Sequence, residues 1–286
     1  MYYYYNIYGL IIRCNVCMPL LKREAACIYN IDLTVIYENL PPNSLIKISE
    51  NDEFYRVDLC SFASYKIHKN KQLIDCRAQN FTDFFSTFFN IPFSVYLMIS
   101  GEVLFHTNTV LNNNKLICFC GKKGVGKSTL TNLINNEEDF MLYSDDTIRV
   151  DKDYSCMRAY NLIKLTEETL DAYKFDTRTG VKNSAGKEYC IIKAEEHKCK
   201  FKYIFQLSRC SEFGISSVNN PALKRSIIVG NIVGVEYFCR ALLEKTIDIS
   251  KRIYADFYNL YIPNTLEALQ NSCDDIRNAV SHLINK

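Results

Sequence analysis

Apolar residues fall first into short alternating or unbroken runs and only later into helical spacing. Tyr3 to Ile12 mixes both kinds of run, and Cys27 to Tyr37 carries Ile28, Leu33, Val35 and Ile36. A period of two puts such residues on one face of a strand, so both segments predict strands. Pro41-Pro42-Asn43-Ser44 predicts a turn. Leu45 to Ile48 and Phe54 to Leu59 predict further strands, separated by Asn51-Asp52-Glu53. A helix is expected from about Asn80, with Phe84, Phe85, Phe88 and Phe89 as packing residues and a break near Pro92. Leu97 to Ile99 and Val103 to Phe105 then read as the first strands of a larger domain. The expectation is a small β-rich domain over residues 1–95 and an α/β domain over residues 96–286.

In the larger part, Asn112-Asn113-Asn114 predicts a hairpin turn. Leu116-Ile117-Cys118-Phe119-Cys120 reads as a buried strand, Leu130 to Ile134 as a helix, and Phe140 to Tyr143 as a strand. Thr147 to Val150, Tyr189 to Ile192, Tyr203 to Leu207 and a run ending at Tyr261-Ile262-Pro263 complete the expected strands. Glu167, Glu168, Leu170 and Tyr173 suggest a short helix, and Asp176 to Lys187 an exposed, mobile loop. Gly234 to Lys245 and Thr265 to Ile284 carry helical spacing.

Composition narrows the classes. With 286 residues and 48% hydrophobic, the chain can build a sizeable core. A formal net charge of +2 gives no bulk sign of a nucleic-acid binder. No stretch reaches 18 apolar residues, so no membrane span is expected. The start, Met1-Tyr2-Tyr3-Tyr4-Tyr5-Asn6, lacks the chemistry of a secretion signal. The 13 scattered cysteines therefore read as reduced thiols of a cytoplasmic protein. Cys14 and Cys17 have no second pair of matching spacing, so a zinc site is not expected there.

One motif carries chemistry. Gly121-Lys122-Lys123-Gly124-Val125-Gly126-Lys127-Ser128-Thr129 fits a phosphate-binding glycine loop set between a strand and a helix. Glycines permit tight curvature, Lys127 reaches the β- and γ-phosphates, and the Ser128 hydroxyl suits Mg2+. Asp145 and Asp146 follow at a strand end, one suited to Mg2+ and the other to accepting a proton from an attacking hydroxyl. Whether both face one site is left open, because neighbours on a strand point apart. His106 would orient an aspartate if its strand lies beside the loop. Arg158, Arg178, Lys182 and Lys187 are candidates for a basic side of the site.

From Gly101 to Asp146 the chain resembles the catalytic domain of the HPr kinase/phosphorylase superfamily. The features that carry this are His106, the Asn112-Asn113-Asn114 turn, the loop from Gly121 to Ser128 and the Asp145-Asp146 pair. Met157 to Leu162 and Lys187 extend it more weakly. The resemblance implies a P-loop kinase domain of HPr-kinase-like type using ATP and Mg2+. In it Asp145 would be the base, Asp146 and Ser128 the metal side, and His106, Lys127, Lys187 and Arg158 would assist. Lys123 departs from the family, where Ser is frequent, and no RGxG-type signature follows. The implied substrate is a Ser or Thr hydroxyl of a peptide or protein. Kinase-like members of lasso-peptide and related peptide-modification pathways point to a ribosomal peptide precursor. Alternatives are a kinase of a free small-molecule hydroxyl and a nucleotide-dependent binding or assembly protein. No nucleic-acid or membrane partner is implied, and a homo-oligomer is compatible. Residues 1–95 suit substrate recognition and structural buttressing equally.

Overall fold

The structure is a computed structural model. It describes residues 1–19, 21, 23–24, 31–39, 46–59, 63–135, 139–158, 162–167, 170, 178–182, 186–191 and 198–285. The fold is mixed α/β. Contacts divide it into two compact units, Met1–Leu104 with Ile232–Ile249, and Phe105–Asn231 with Ser250–Lys286.

Seven strands open the first unit: β1 (Tyr3–Ile7), β2 (Leu10–Cys14), β3 (Leu33–Asn39), β4 (Ile46–Glu50), β5 (Phe54–Leu59), β6 (Ala63–His68) and β7 (Leu73–Ala78). They form one sheet in the order β1-β2-β3-β7-β6-β5-β4, parallel at β2/β3 and β3/β7. Tyr8 and Gly9, both at positive φ, close the β1–β2 hairpin in the turn that matches strand twist. Tyr55, Val57, Tyr65, Ile67, Ile74 and Cys76 are buried alternately along β5 to β7. Helices α1 (Phe81–Phe88) and α2 (Ile91–Ile99) pack on these strands. Phe88 meets Phe84 and Phe93 at ring-centroid distances of 5.4 and 5.8 Å.

The break expected near Pro92 falls at Phe89 and Asn90, between α1 and α2, and Pro92 itself opens the second helix. It stands in the first turn of α2, where a missing N–H leaves no bond unmade. Leu97 to Ile99, expected as strand, is the last turn of α2. That helix is buried on nearly every side, and an unbroken apolar run does not distinguish such a helix from a strand.

The chain enters the second unit through β8 (Val103–His106). Then come β9 (Asn108–Asn112), β10 (Lys115–Cys120), α3 (Lys127–Ile134), β11 (Met141–Ser144), β12 (Thr147–Val150) and β13 (Ser155–Arg158). β14 (Leu162–Leu165), β15 (Arg178–Lys182), β16 (Glu188–Ile191), β17 (Cys199–Cys210), β18 (Gly214–Ser217) and α4 (Pro221–Gly230) follow. The segment returning to the first unit holds a 3-10 turn, Val235–Tyr237, and most of α5 (Arg240–Ser250). β19 (Asp256–Pro263), α6 (Leu266–Asn271) and α7 (Cys273–Ile284) close the second unit. Two expected helices are thus divided. Phe238 is extended between the 3-10 turn and α5, and Ser272 separates α6 from α7.

The large sheet of this unit runs β11-β9-β10-β17-β13-β12-β8, with β19 paired to β17 and β18 to β19. β17 pairs in parallel with both β10 and β19. Asn113 and Asn114, at φ 47° and 61°, make the expected β9–β10 turn. Ile117, Phe119, Phe205 and Leu260 of the sheet share one core with Leu130 and Ile134 of α3 and Ile276 and Val280 of α7. Both ends of the segment 121–126 are thereby anchored, one on β10 and the other on α3.

A separate small sheet has the order β14-β16-β15. The expected mobile loop therefore contains a strand, and Arg178 Nη2 donates to Glu188 Oε2 at 2.7 Å and to Glu167 Oε1 at 3.0 Å. Residues 176–177 and 183–185 of that loop lie outside the described residues, as do Cys27, Ile28, Pro41 to Ser44, and Glu168 and Tyr173 of the expected short helix.

Candidate functional site

β10 ends at Cys120, and α3 begins at Lys127 with Gly126 as its N-cap residue. Gly126 has φ 108°, and a Cβ there would lie 2.7 Å from Arg209 Nη2. Gly121 has φ 148°, with Leu207 O 3.1 Å from any Cβ. Backbone conformation thus favours glycine at both ends of the loop, and at Gly121 a Cβ would also crowd the Leu207 carbonyl. No side chain caps the start of α3. The Lys127 ammonium curls over the loop and donates to Gly121 O at 2.8 Å. Burial lowers its pKa from the ordinary lysine value. Asn231 steadies the loop from beneath, its Oδ1 accepting from Gly121 N at 3.3 Å.

Asp145 and Asp146 follow β11 directly. Asp146 has φ 72°, a left-handed conformation that Asp tolerates better than most residues. This breaks the strand's alternation, and both aspartates line the same cleft. Asp145 is buried. Its Oδ1 accepts from Ser128 Oγ at 3.0 Å and from Asn108 Nδ2, and its Oδ2 accepts from the Lys164 main-chain N at 2.8 Å. Asp146 Oδ2 accepts from Lys164 Nζ at 2.6 Å, while His106 Nε2 stands 3.8 Å from Oδ1.

The two carboxyls are driven apart electrostatically. Burial, then the charge on Asp146, raises the pKa of Asp145 against the pull of Lys164 and Ser128. Burial also opposes ionisation of Asp146, but the charges of Lys164 and His106 and the Lys164 hydrogen bond outweigh it. Asp146 is held below the ordinary carboxylate range. Burial lowers the His106 pKa from its ordinary value, against the opposing pull of the Asp146 charge.

These residues border a cleft of about 620 Å³. Of the sequence-derived candidates, His106, Lys123, Gly124, Gly126, Lys127, Ser128, Thr129, Asp145, Asp146 and Lys187 line it. Gly121, Lys122 and Val125 stand in the same loop away from the lining. Arg158 is buried outside the lining, its guanidinium 5.6 Å from the Tyr143 ring centroid, and Arg178 and Lys182 are engaged with Glu167. Strand pairing on β13 turns Arg158 into the fold, so the geometry does not bring it to the cleft.

Sequence reasoning missed Asn108, Lys164 and Arg209, all of which line the cleft. Asn108 opens β9, Asn-Thr-Val-Leu-Asn, and nothing local sets it apart from Asn112 at the other end. Lys164 and Arg209 carry no local mark. Among the described lining residues, Lys123, Lys127, Lys164, Lys187 and Arg209 face two carboxylates, an excess of three positive charges that suits a polyanion.

Ser128 Oγ and Asp145 Oδ1 are hard oxygens side by side, and the Asn108 amide Nδ2 donates to both. Such oxygens fit Mg2+, which takes few protein ligands and completes its shell with water and phosphate. Among the described residues no cluster of three His, Cys, Asp or Glu forms a metal cage, and no helix is long and apolar enough to cross a membrane.

No family model matches this chain, and no curated protein matches it. Among solved structures it is distantly similar to the HPr(Ser) kinase/phosphatase from Coxiella burnetii. The match covers 63% of this chain and 97% of that one, at 11% identity and a TM-score of 0.32.

Proposed function

We propose that this protein is an ATP- and Mg2+-dependent phosphotransferase acting on a Ser or Thr hydroxyl of a peptide or protein. The observation that carries the proposal is the contact between Ser128 and Asp145, with Asp146 next in chain and lining the same cleft. In this reading the segment from β10 to α3 is a P-loop of HPr-kinase-like type. Loop amides and Lys127 hold the phosphates of ATP. Ser128 and Asp145 would hold Mg2+, with the Asn108 amide donating to both, and the ion when bound would neutralise charge on the terminal phosphates.

In this reading the aspartates take the reverse of the order expected from the sequence. Asp145 shares the Ser128 hydroxyl and belongs on the metal side. Asp146, kept ionised beside Lys164 and His106, takes the acceptor's proton. The acceptor oxygen bonds to the γ-phosphorus as the bond from that phosphorus to the β–γ bridging oxygen breaks. ADP leaves with the bridging oxygen, and the hydroxyl proton passes to Asp146. The peptide character of the acceptor rests on the motif resemblance.

The test is incubation with Mg2+, ATP labelled in its γ-phosphate, and separate panels of peptides and free hydroxyl metabolites. Label on peptide Ser or Thr, lost in Asp146→Asn, is expected. Label only on metabolites would transfer the assignment to a small-molecule kinase. Tight nucleotide binding with no transfer to either panel would replace the kinase by a nucleotide-dependent assembly protein.

A further inference from the structure

The glycine-loop cleft has a second end, unused by the chemistry above. β9 and β11, which bring Asn108 and the aspartates, lie on one flank of β10, while β17 and β19 lie on the other. Cys120 at the end of β10 is level with Gln206, so Arg209 projects from β17 beyond that end, beside Ile262 of β19. Its Nη1 donates to Pro263 O, and its Nη2 packs over the Cα of Gly126. β19 leads at once into α6, whose start is set by Thr265 Oγ1 accepting from Ala268 N at 3.2 Å. That cap fixes the first turn of α6, with Leu266 half-buried on this flank of the cleft and Leu269 wholly buried in the core.

We infer that Arg209 and Leu266 form the nucleobase end of the nucleotide site. The inference rests on the phosphotransferase reading and extends it. A nucleoside triphosphate is a linear ligand with its reacting phosphate at one tip. Ser128 and the aspartates set where that tip lies, on the β9–β11 flank. The glycine loop takes the phosphates behind it, so the base leaves toward β17 and β19. There it meets the half-buried Leu266, which supplies an apolar wall, and a guanidinium, which stacks on a flat aromatic ring. The hydrogen bond to Pro263 O holds that guanidinium in place before any ligand arrives.

The test compares Mg-ATP with inorganic tripolyphosphate and Mg2+ in calorimetric titrations of the full chain. Wild type is expected to bind ATP more tightly than tripolyphosphate by about tenfold or more. Arg209→Ala and, separately, Leu266→Asp should each lower ATP affinity by roughly five- to thirtyfold, with tripolyphosphate changed by less than about twofold. Leu266 is only half-buried, and an unchanged circular dichroism spectrum checks that its variant folds. Equal loss for both ligands in Arg209→Ala would make Arg209 a phosphate ligand and overturn the inference. Equal affinity of wild type for ATP and tripolyphosphate would overturn the base end alone. Failure of wild type to bind either ligand would overturn the phosphate site, and the base end with it.

Discussion

The ammonium of Lys164 lies 2.6 Å from Oδ2 of Asp146. The main-chain N–H of the same lysine donates to Asp145 at 2.8 Å. One residue on β14, an edge strand of the small sheet, therefore fixes both members of the acidic pair. We expect Lys164→Ala to lower kcat by roughly ten- to a thousandfold, because a preorganised charge beside the reacting groups is lost. Lys164→Arg should restore part of that loss. Steady-state kinetics with the labelled acceptor checks both, and an unaltered rate in Lys164→Ala would remove the residue from the site.

Asp145→Asn and Asp146→Asn should fail differently. Asp145 shares the Ser128 hydroxyl, so Asp145→Asn and Ser128→Ala are expected to weaken the Mg2+ dependence of nucleotide binding. Asp146→Asn should leave that binding near wild type and reduce kcat by about 10²–10⁴. Titrating Mg2+ at fixed ATP separates the two patterns. The opposite pattern would restore the order expected from the sequence.

Gly126 stands at φ 108° under the Arg209 guanidinium. Gly126→Ala is expected to destabilise the chain by about 1–3 kcal/mol, from positive-φ strain and displacement of Arg209. Adding Arg209→Ala relieves the contact and leaves the strain. A denaturant double-mutant cycle with no coupling between the two would show that Arg209 does not press on the loop.

Glu188 is buried in the small sheet and accepts from Arg178 Nη2 at 2.7 Å and from Gly180 N at 3.0 Å. The Arg178 hydrogen bond is the main cause holding its pKa below 4.5 in the fold. A carboxyl with a depressed folded pKa stabilises fully above its unfolded value. That contribution fades as pH falls below 4.5 toward the folded value. Amide protection factors across β14, β16 and β15 should drop over that window. Glu188→Gln should start lower and show less of the acid-dependent fall.

Local signals account for much of what could be read directly. The glycine loop between a buried strand and a helix, the Asn113-Asn114 turn and the strand before the aspartates each depend on residues close in the chain. Apolar periodicity and turn chemistry act over such distances, and a sequence displays them openly. The same signals misled where burial was uniform, as at Leu97 to Ile99, since a helix apolar on all sides has no period to show.

Tertiary structure alone decided how the cleft is populated. Asn108, Lys164 and Arg209 arrive from β9, β14 and β17, and strand pairing between distant segments brings them to one place. The common facing of the aspartates depends on one left-handed residue, Asp146, at a position where two carboxylates in sequence would otherwise diverge. Arg158 shows the converse, a basic residue near the motif that pairing on β13 turns into the core. Sequence thus determined which chemistry was available, because side-chain identity and local spacing are written in it. Which groups meet, and on which face, followed from sheet order and one backbone dihedral, which arise only when the whole chain packs.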